Sequence, residues 1–174
     1  MSAWAATLTV ILTVAAMELT AYSVHRWIMH GPLGWGWHKS HHDEDHDHAL
    51  EKNDLYGVVF AVISMALFAI GALGSDLAWW LAVGVTCYGL IYYFLHDGLV
   101  HGRWPFRYVP KRGYLRRVYQ AHRMHHAVHG RDDCVSFGFI WAPSVDRLKA
   151  QLKRSGALLR DRQAVERDGA DPRA

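Results

Sequence analysis

Charged residues are almost absent from three long stretches of this 174-residue chain, and the first 24 residues contain neither lysine nor arginine. Residues 3–24 carry only Glu18, and residues 55–73 and 77–95 carry no charge. About 20 helical residues cross the hydrocarbon core of a bilayer, so each stretch is long enough to span it. A soluble domain of this size rarely places three such runs in its core. We therefore predict an all-α integral membrane protein with three or four membrane-spanning helices.

Cysteine is also scarce. The two cysteines, Cys87 and Cys134, are far apart in the sequence, and Cys87 lies within an apolar run. This spacing indicates neither a disulfide framework nor a thiolate metal site. No basic segment precedes the first apolar run, so we expect no secretory signal. The length is that of one domain.

Basic residues predict the orientation of the spans. Arg26 and Lys39 follow the first span, and a run of eight lysines and arginines without any acidic residue follows the third. The positive-inside rule therefore places residues 25–54 and 96–174 in the cytoplasm and the N-terminus outside. Three membrane-spanning helices are consistent with this orientation of the chain.

Histidine, by contrast, is abundant, and ten of the thirteen histidines form one spacing pattern that occurs twice. A pair separated by four residues is followed by a triplet of the form HxxHH, and the whole arrangement then recurs. Ten imidazoles are too many for a mononuclear site and enough for two metal ions side by side. The predicted topology puts all ten on the cytoplasmic side. We therefore predict a histidine-rich helical cap with these metal ligands: His25, His30, His38, His41, His42, His96, His101, His122, His125 and His126.

Helix geometry explains the triplets more easily than the pairs. Residues i, i+3 and i+4 share one face, so each triplet projects together if residues 38–48 and 115–129 are helical. Residues i and i+5 point about 140° apart on an ideal α-helix. Both members of a pair therefore reach one centre only if the helix ends near the second histidine. Gly31-Pro32 and Gly102 follow those histidines, as is common just past helix ends.

Several acidic residues are candidates to support the ligands. A metal-bound imidazole usually donates its second N–H to an acceptor. The candidates near the motifs are Asp43, Glu44, Asp97 and Asp132.

The remaining polar residues allow more than one interpretation. His46 and His48 lie in an acidic stretch that is either an auxiliary metal-binding segment or a solvated segment. The same two interpretations apply to His129. Glu18 is seven residues before His25, so both side chains lie on the same face of the helix. A carboxylate within a membrane span is often functional, so Glu18 either has a role in the metal site or lies near the membrane interface.

The chemistry of such a site depends on the metal. Nitrogen-rich sites suit iron, zinc and copper, but zinc has no accessible redox change. Two redox-active irons can reduce dioxygen and attack an unactivated C–H bond. A site where membrane helices emerge suits a lipid-soluble substrate that arrives from the bilayer, with electrons supplied from the aqueous side.

The basic stretch after the third span suits that electron supply, because a positive surface attracts an acidic partner such as a ferredoxin. Contact with anionic lipid headgroups is an equally good interpretation. Nucleic acid is not expected for a segment between a membrane span and a metal site. The residues concerned are Arg103, Arg107, Lys111, Arg112, Arg116, Arg117 and Arg123.

The complete motif set resembles that of the bacterial β-carotene hydroxylases within the fatty acid hydroxylase superfamily. The flanking residues are similar as well, and the resemblance covers about residues 15–142. It is carried by these segments: His25-Arg-Trp-Ile-Met-His30-Gly, Trp37-His38-Lys-Ser-His41-His42, His96-Asp-Gly-Leu-Val-His101, Arg103-Trp-Pro-Phe and Ala121-His122-Arg-Met-His125-His126.

The resemblance implies a non-haem di-iron monooxygenase of the bacterial inner membrane. Its expected reaction is hydroxylation of carbon 3 of β-ionone rings, which converts β-carotene to β-cryptoxanthin and then zeaxanthin, and extends to canthaxanthin and astaxanthin. Dioxygen and a reduced ferredoxin-like donor would be consumed. All ten family histidines have counterparts here, whereas the residues that bind the substrate remain unidentified.

We expect the hydroxylase domain to occupy residues 1–143. Residues 144–174 then form a polar cytoplasmic tail with eight basic and five acidic residues. Ser144 is placed to cap a short amphipathic helix, and disorder is expected beyond about Arg162.

Three alternative functions are also compatible with the sequence. A membrane fatty acid or sterol hydroxylase, or a desaturase, would use nearly the same ligands. A histidine-rich metal-ion transporter or sensor should carry polar ligands at the bilayer midplane, where this chain offers only Ser64, Thr86 and Cys87. A zinc-dependent membrane hydrolase is the third.

Overall fold

The computed structural model describes residues 1–42, 50–160 and 163. The described residues form helices and loops and contain no strand. Two of the helices, α1 and α4, continue directly into π-helical segments, Val24–Met29 and Tyr93–Val100. The α-helices are α1 Ala3–Ser23, α2 Trp35–His42, α3 Asp54–Ala72, α4 Asp76–Tyr92, α5 Gly113–His125 and α6 Val145–Ser155.

Three continuous helices are long and apolar enough to cross a membrane: Ala3–Met29, Asp54–Ala72 and Asp76–Val100. They coincide with the three predicted spans, which confirms an all-α membrane protein. Large apolar side chains on their outer faces, such as Leu12 and Val62, are more than half exposed (59% and 53%), as expected of side chains that face lipid.

Small residues let the spans approach closely. A side-chain carbon on Gly84 of α4 would lie 2.5 Å from the Thr13 side chain of α1, so glycine permits this contact. The turn between α3 and α4 uses Gly74 at φ 112°, and Ser75 caps α4 by accepting from the Ala78 N–H. α4 packs against both α1 and α3, whereas among the described residues α1 and α3 have no comparable contact.

A second layer packs below the spans and contains α2, α5, α6 and the loop after α5. Its hydrophobic cluster joins Val118 of α5, Val135 and Phe137 of the loop, and Leu148 and Leu152 of α6. We call this second layer the histidine layer, because it carries most of the motif histidines. The spans contribute only the histidines of their last turns.

The domain division expected at 143/144 stays a prediction. Ser144 does cap α6, because its hydroxyl accepts from the Arg147 N–H. Leu148 is completely buried in the hydrophobic cluster of this layer, so α6 packs into the core of the layer. The disorder expected beyond Arg162 concerns residues that, apart from Gln163, lie outside the described part of the chain.

Candidate metal centre

The x4 pairs lie on the two π-helical segments. The His30 N–H donates to the His25 carbonyl at 3.1 Å, and the His101 N–H donates to the His96 carbonyl at 3.0 Å. These i→i+5 bonds define a π-helical turn, in which the residue five positions further on lies close to the first. The helices do end at His30 and His101, as predicted. The α-helical geometry expected up to that point is replaced by a wider turn that brings each pair together.

Both triplets end their helices. His38, His41 and His42 complete α2, while His122 and His125 complete α5 and His126 is its C-terminal cap. Each triplet projects from one helix face, as predicted. α5 ends four residues before the predicted boundary at 129. The remainder of the helix predicted for 38–48 falls on residues 43–48, outside the described residues.

Eight of the ten motif histidines gather into two groups whose ligand atoms lie within 4.8 Å of one another. The first cluster is His25, His30, His38 and His125. The second cluster is His41, His96, His101 and His122.

Each cluster contains histidines from both halves of the chain. Each cluster takes one complete x4 pair and one histidine from each triplet. His38, the first member of its triplet, joins His125, the second member of the other, and the second cluster combines His41 with His122 in the reverse order. Neither half of the motif therefore forms a cluster alone.

The last histidines of the two triplets lie between the clusters. The rings of His42 and His126 stack at 4.5 Å between centroids. His42 Nε2 is 3.2 Å from His125 Nε2 of the first cluster, and His126 Nε2 is 2.9 Å from His122 Nε2 of the second. All ten predicted ligands therefore converge on one site.

Hydrogen bonds determine which nitrogen atom of each ring faces the centre. Seven of the ten histidines direct Nδ1 to an oxygen acceptor at 2.6–3.1 Å. Since a carbonyl or carboxylate oxygen only accepts, Nδ1 carries the proton and Nε2 keeps its lone pair in the neutral ring. The pairs are His25 with the Phe137 carbonyl, His30 with the Arg131 carbonyl, His38 with the Asn53 amide, His41 with Glu51, His42 with the Val128 carbonyl, His96 with Asp97 and His125 with the Val135 carbonyl.

The rings are held neutral by their surroundings. Burial lowers the pKa of His38 to about 3 and that of His42 to about 2. Burial also lowers the pKa of His41, His122 and His125 well below the usual range, and neighbouring imidazoles add to the effect. Hydrogen bonds between protonated and neutral imidazoles therefore do not account for the close packing of these rings.

Converging lone pairs repel unless a cation lies between them. Nε2 of His30 is 3.1 Å from Nε2 of both His38 and His125, and Nε2 of His41 is 3.0 Å from that of His96. Ligands at right angles on a metal with bonds of about 2.1 Å are about 3.0 Å apart. The observed separations fit that geometry, so the residues suit two metal ions bound by imidazole.

The two clusters differ in the charge of the groups that accept hydrogen bonds from their histidines. In the first cluster the Nδ1 acceptors are backbone carbonyls and the Asn53 amide, whereas Glu51 and Asp97 serve the second. Arg103 donates to Glu51 at 2.7 Å and to Asp54 at 2.8 Å. Two carboxylates and one guanidinium therefore surround the second cluster.

The candidate acceptors were only partly identified from sequence. Asp97 does accept from His96, but Asp132 is 81% exposed and lies near Arg131. Asp43, Glu44, His46 and His48 lie outside the described residues. Glu51 and Asn53 were not predicted from the sequence, because these residues precede α3 and reach the histidines through the tertiary fold.

Glu18 supports the site without facing the metals. One carboxylate oxygen accepts from the Tyr88 hydroxyl at 2.8 Å, and the other accepts from three consecutive backbone N–H groups, Phe139 to Trp141, at 2.7–3.1 Å. The same loop carries the carbonyl groups that orient His25 and His125. Glu18 therefore anchors this loop to the first span.

Not all residues of the predicted basic surface are exposed. Arg103 is 24% exposed and forms the ion pairs described above, so its charge is directed inward. His129 lies on the surface. The other basic residues are exposed: Arg107, Lys111, Arg112, Arg116, Arg117 and Arg123.

The chain belongs to the fatty acid hydroxylase family, whose model matches residues 10–150. This match continues past Pro143, where the resemblance was expected to end, and includes about half of α6. The chain is 74% identical over 151 residues to a β-carotene hydroxylase of Paracoccus sp. (strain PC1), covering 87% of this chain and 93% of the relative. It is 52% identical over 168 residues to a β-carotene hydroxylase of Pantoea ananas, covering 94% of each. No solved structure matches the chain.

Proposed function

We propose that this protein is a β-carotene hydroxylase that acts on carbon 3 of β-ionone rings. It converts β-carotene to β-cryptoxanthin and then zeaxanthin, and it accepts the 4-keto ring of canthaxanthin to form astaxanthin. The observation that carries this proposal is the convergence of ten imidazoles where the membrane spans end. The names of bacterial relatives at 52–74% identity support the choice of substrate.

The proposed cofactor is a pair of iron ions, one at each cluster. Iron supplies the one-electron redox chemistry that dioxygen activation requires, and zinc does not. Each hydroxylation consumes one dioxygen, two electrons and two protons. One oxygen atom replaces a ring hydrogen as a hydroxyl group, and the other leaves as water.

The protein's own residues orient the ligands and keep out water. Nδ1 hydrogen bonds hold seven of the ten imidazoles in one tautomer and direct Nε2 towards the centre. Eight of the ten histidines are buried. The site therefore needs little reorganisation when a metal ion or an apolar substrate arrives.

The proposed location is the bacterial inner membrane, with the histidine layer and the C-terminus in the cytoplasm. The carotenoid enters from the bilayer. A ferredoxin-like donor docks on the exposed basic residues of the loop before α5 and of α5 itself, which also lie close to anionic headgroups. Six of the seven basic residues predicted for docking are exposed: Arg107, Lys111, Arg112, Arg116, Arg117 and Arg123.

The test is a reaction with purified, iron-loaded protein, reduced ferredoxin, dioxygen and β-carotene or canthaxanthin. Zeaxanthin and astaxanthin are the expected products. Hydroxylated fatty acid or sterol with no carotenoid product would assign the chain to another branch of the family. Turnover that persists with zinc and without oxygen would indicate a hydrolase.

A metal-ion transporter is the alternative outside this enzyme class. Two of the three polar residues in the apolar hairpin, Ser64 and Thr86, hydrogen-bond to each other at 2.9 Å. Because these hydroxyls are already paired, the spans offer little to a metal ion at mid-membrane. Metal-ion uptake by reconstituted vesicles would overturn the enzyme proposal if it occurred without hydroxylation.

A further inference from the structure

An apolar cleft lies between α1 and α3, with α4 as its floor. α4 packs against both neighbours, but among the described residues α1 and α3 do not pack comparably against each other. The cleft has a volume of about 350 Å³, within the range of small-molecule sites. Its apolar lining comes from all three spans: Met17, Ala21, Val24, Phe60, Ala61 and Val85.

The cleft runs along one face of α3 from Asp54 to Ser64, a length of about 15 Å along the helix axis. Gly57 and Ala61 line this face and are exposed. The cleft is therefore reached sideways from the bilayer and extends from the histidine layer towards mid-membrane.

The inner end of the cleft meets the metal centre at one aromatic side chain. Phe139 lines the cleft and stacks on His25 at 5.3 Å between ring centroids. The same ring meets His96 edge-on at 5.0 Å. His25 belongs to the first cluster and His96 to the second, so Phe139 contacts ligands of both.

Polar side chains at this end are already paired. Arg103 donates to Asp54 at 2.8 Å, and Asp97 accepts from His96 at 2.6 Å. A hydrocarbon in the cleft would therefore meet apolar walls and neutralised charges, which suits an apolar ligand better than a charged one.

We infer that this cleft holds the ring-bearing end of a carotenoid and that Phe139 is the wall against which the ring lies beside the metal centre. The inference rests on the proposed function. A carotenoid is too long to fit entirely within the cleft, so the rest of the polyene extends into the bilayer through the gap between α1 and α3. Phe139 is then a positioning residue that determines which ring carbon faces the metals.

Two glycines allow the cleft to be filled without disturbing the fold. Gly57 of α3 and Gly89 of α4 both line the cleft, and a side-chain carbon added at either meets nothing within 4 Å. Gly57→Phe and Gly89→Phe therefore place a ring in the cleft and also raise helix propensity. Val58→Phe and Leu90→Phe are matched controls, because those neighbouring side chains are 54% exposed towards lipid.

Binding of β-carotene to the iron-loaded protein in detergent is measured by equilibrium titration without reductant, alongside iron content, helicity and oligomeric state. Each glycine variant is expected to bind at least about tenfold more weakly, with the other properties unchanged, while both controls bind normally. Product analysis of Phe139→Leu at normal iron content is expected to show hydroxylation at ring carbons other than carbon 3.

Unchanged binding by both glycine variants would overturn the inference and leave the proposed function intact. A change of oligomeric state in these variants with normal binding would show that a second copy covers the cleft, and would also overturn it. If the unsubstituted protein neither bound nor hydroxylated β-carotene, the proposed function would fail and the inference with it.

Discussion

Arg103 and Glu51 form an ion pair of 2.7 Å beside the second cluster, and the other Glu51 oxygen accepts from His41 Nδ1 at 2.9 Å. A guanidinium is thereby connected to a metal-ligand candidate through one carboxylate. Arg103 also donates to Asp54, which accepts from the Glu51 backbone N–H. These contacts fix the start of α3 against the histidine layer.

We expect Arg103→Ala to weaken metal binding, because Glu51 would lose the partner that positions it behind His41. Loss of such outer partners typically lowers metal affinity by about 10–100-fold. Iron content after dialysis against a chelator measures the effect. Arg107→Ala is the control, since Arg107 is exposed. Equal iron retention by both variants would contradict a role for Arg103 at the site.

Glu51→Gln tests whether the negative charge behind the second cluster matters. The amide oxygen still accepts from His41, but the charge is removed and an NH2 group replaces the oxygen that accepts from Arg103, so the His41 imidazole becomes a weaker donor to a metal. We expect one iron per chain to be lost more readily than the other during chelator titration. Asn53→Ala, which removes the acceptor for His38, should instead weaken the first cluster. Identical release profiles for the two variants would show that the clusters are not distinct.

Substitution of any one of the ten histidines by alanine is expected to reduce turnover by about 10²-fold or more. Each ring contributes to a convergent set, and its loss leaves a gap at the metal. Product formation and iron content are measured together. His129→Ala, on the surface, and alanine at His46 or His48 should have much milder effects. Near-normal turnover of His41→Ala would exclude it as a ligand.

Glu18→Ala should lower stability, because it removes the acceptor of three backbone N–H groups and of Tyr88. Hydrogen bonds to charged groups contribute about 2 kcal/mol each, so a clear fall in melting temperature is expected. Thermal unfolding in detergent is the measurement. Thr20→Ala is a suitable control, because the Thr20 hydroxyl donates to the Ala16 carbonyl of its own helix. An unchanged melting temperature would contradict the anchoring role.

Most of the architecture was predictable because it depends on local periodicity. Uncharged runs identified the three spans, and the recurring histidine spacing identified all ten converging residues. The π-helical turns at His30 and His101 were not predictable, because an α-helical angle of about 100° per residue was assumed.

Residues that act through the tertiary fold escaped sequence analysis. Glu51 and Asn53 belong to no motif and approach His41 and His38 only after α3 packs. Arg103 looked like part of a basic surface, but its acidic partners are about 50 residues away in the sequence and draw it inward. The exchange of ligands between halves of the chain is likewise a property of packing and not of spacing.

The most direct test of the account is the ratio of iron to protein in purified, metal-replete material. Two convergent clusters predict two irons per chain, and alanine at His38 or at His96 should each reduce the ratio towards one. A single ion per chain in the unsubstituted protein would contradict the dinuclear centre.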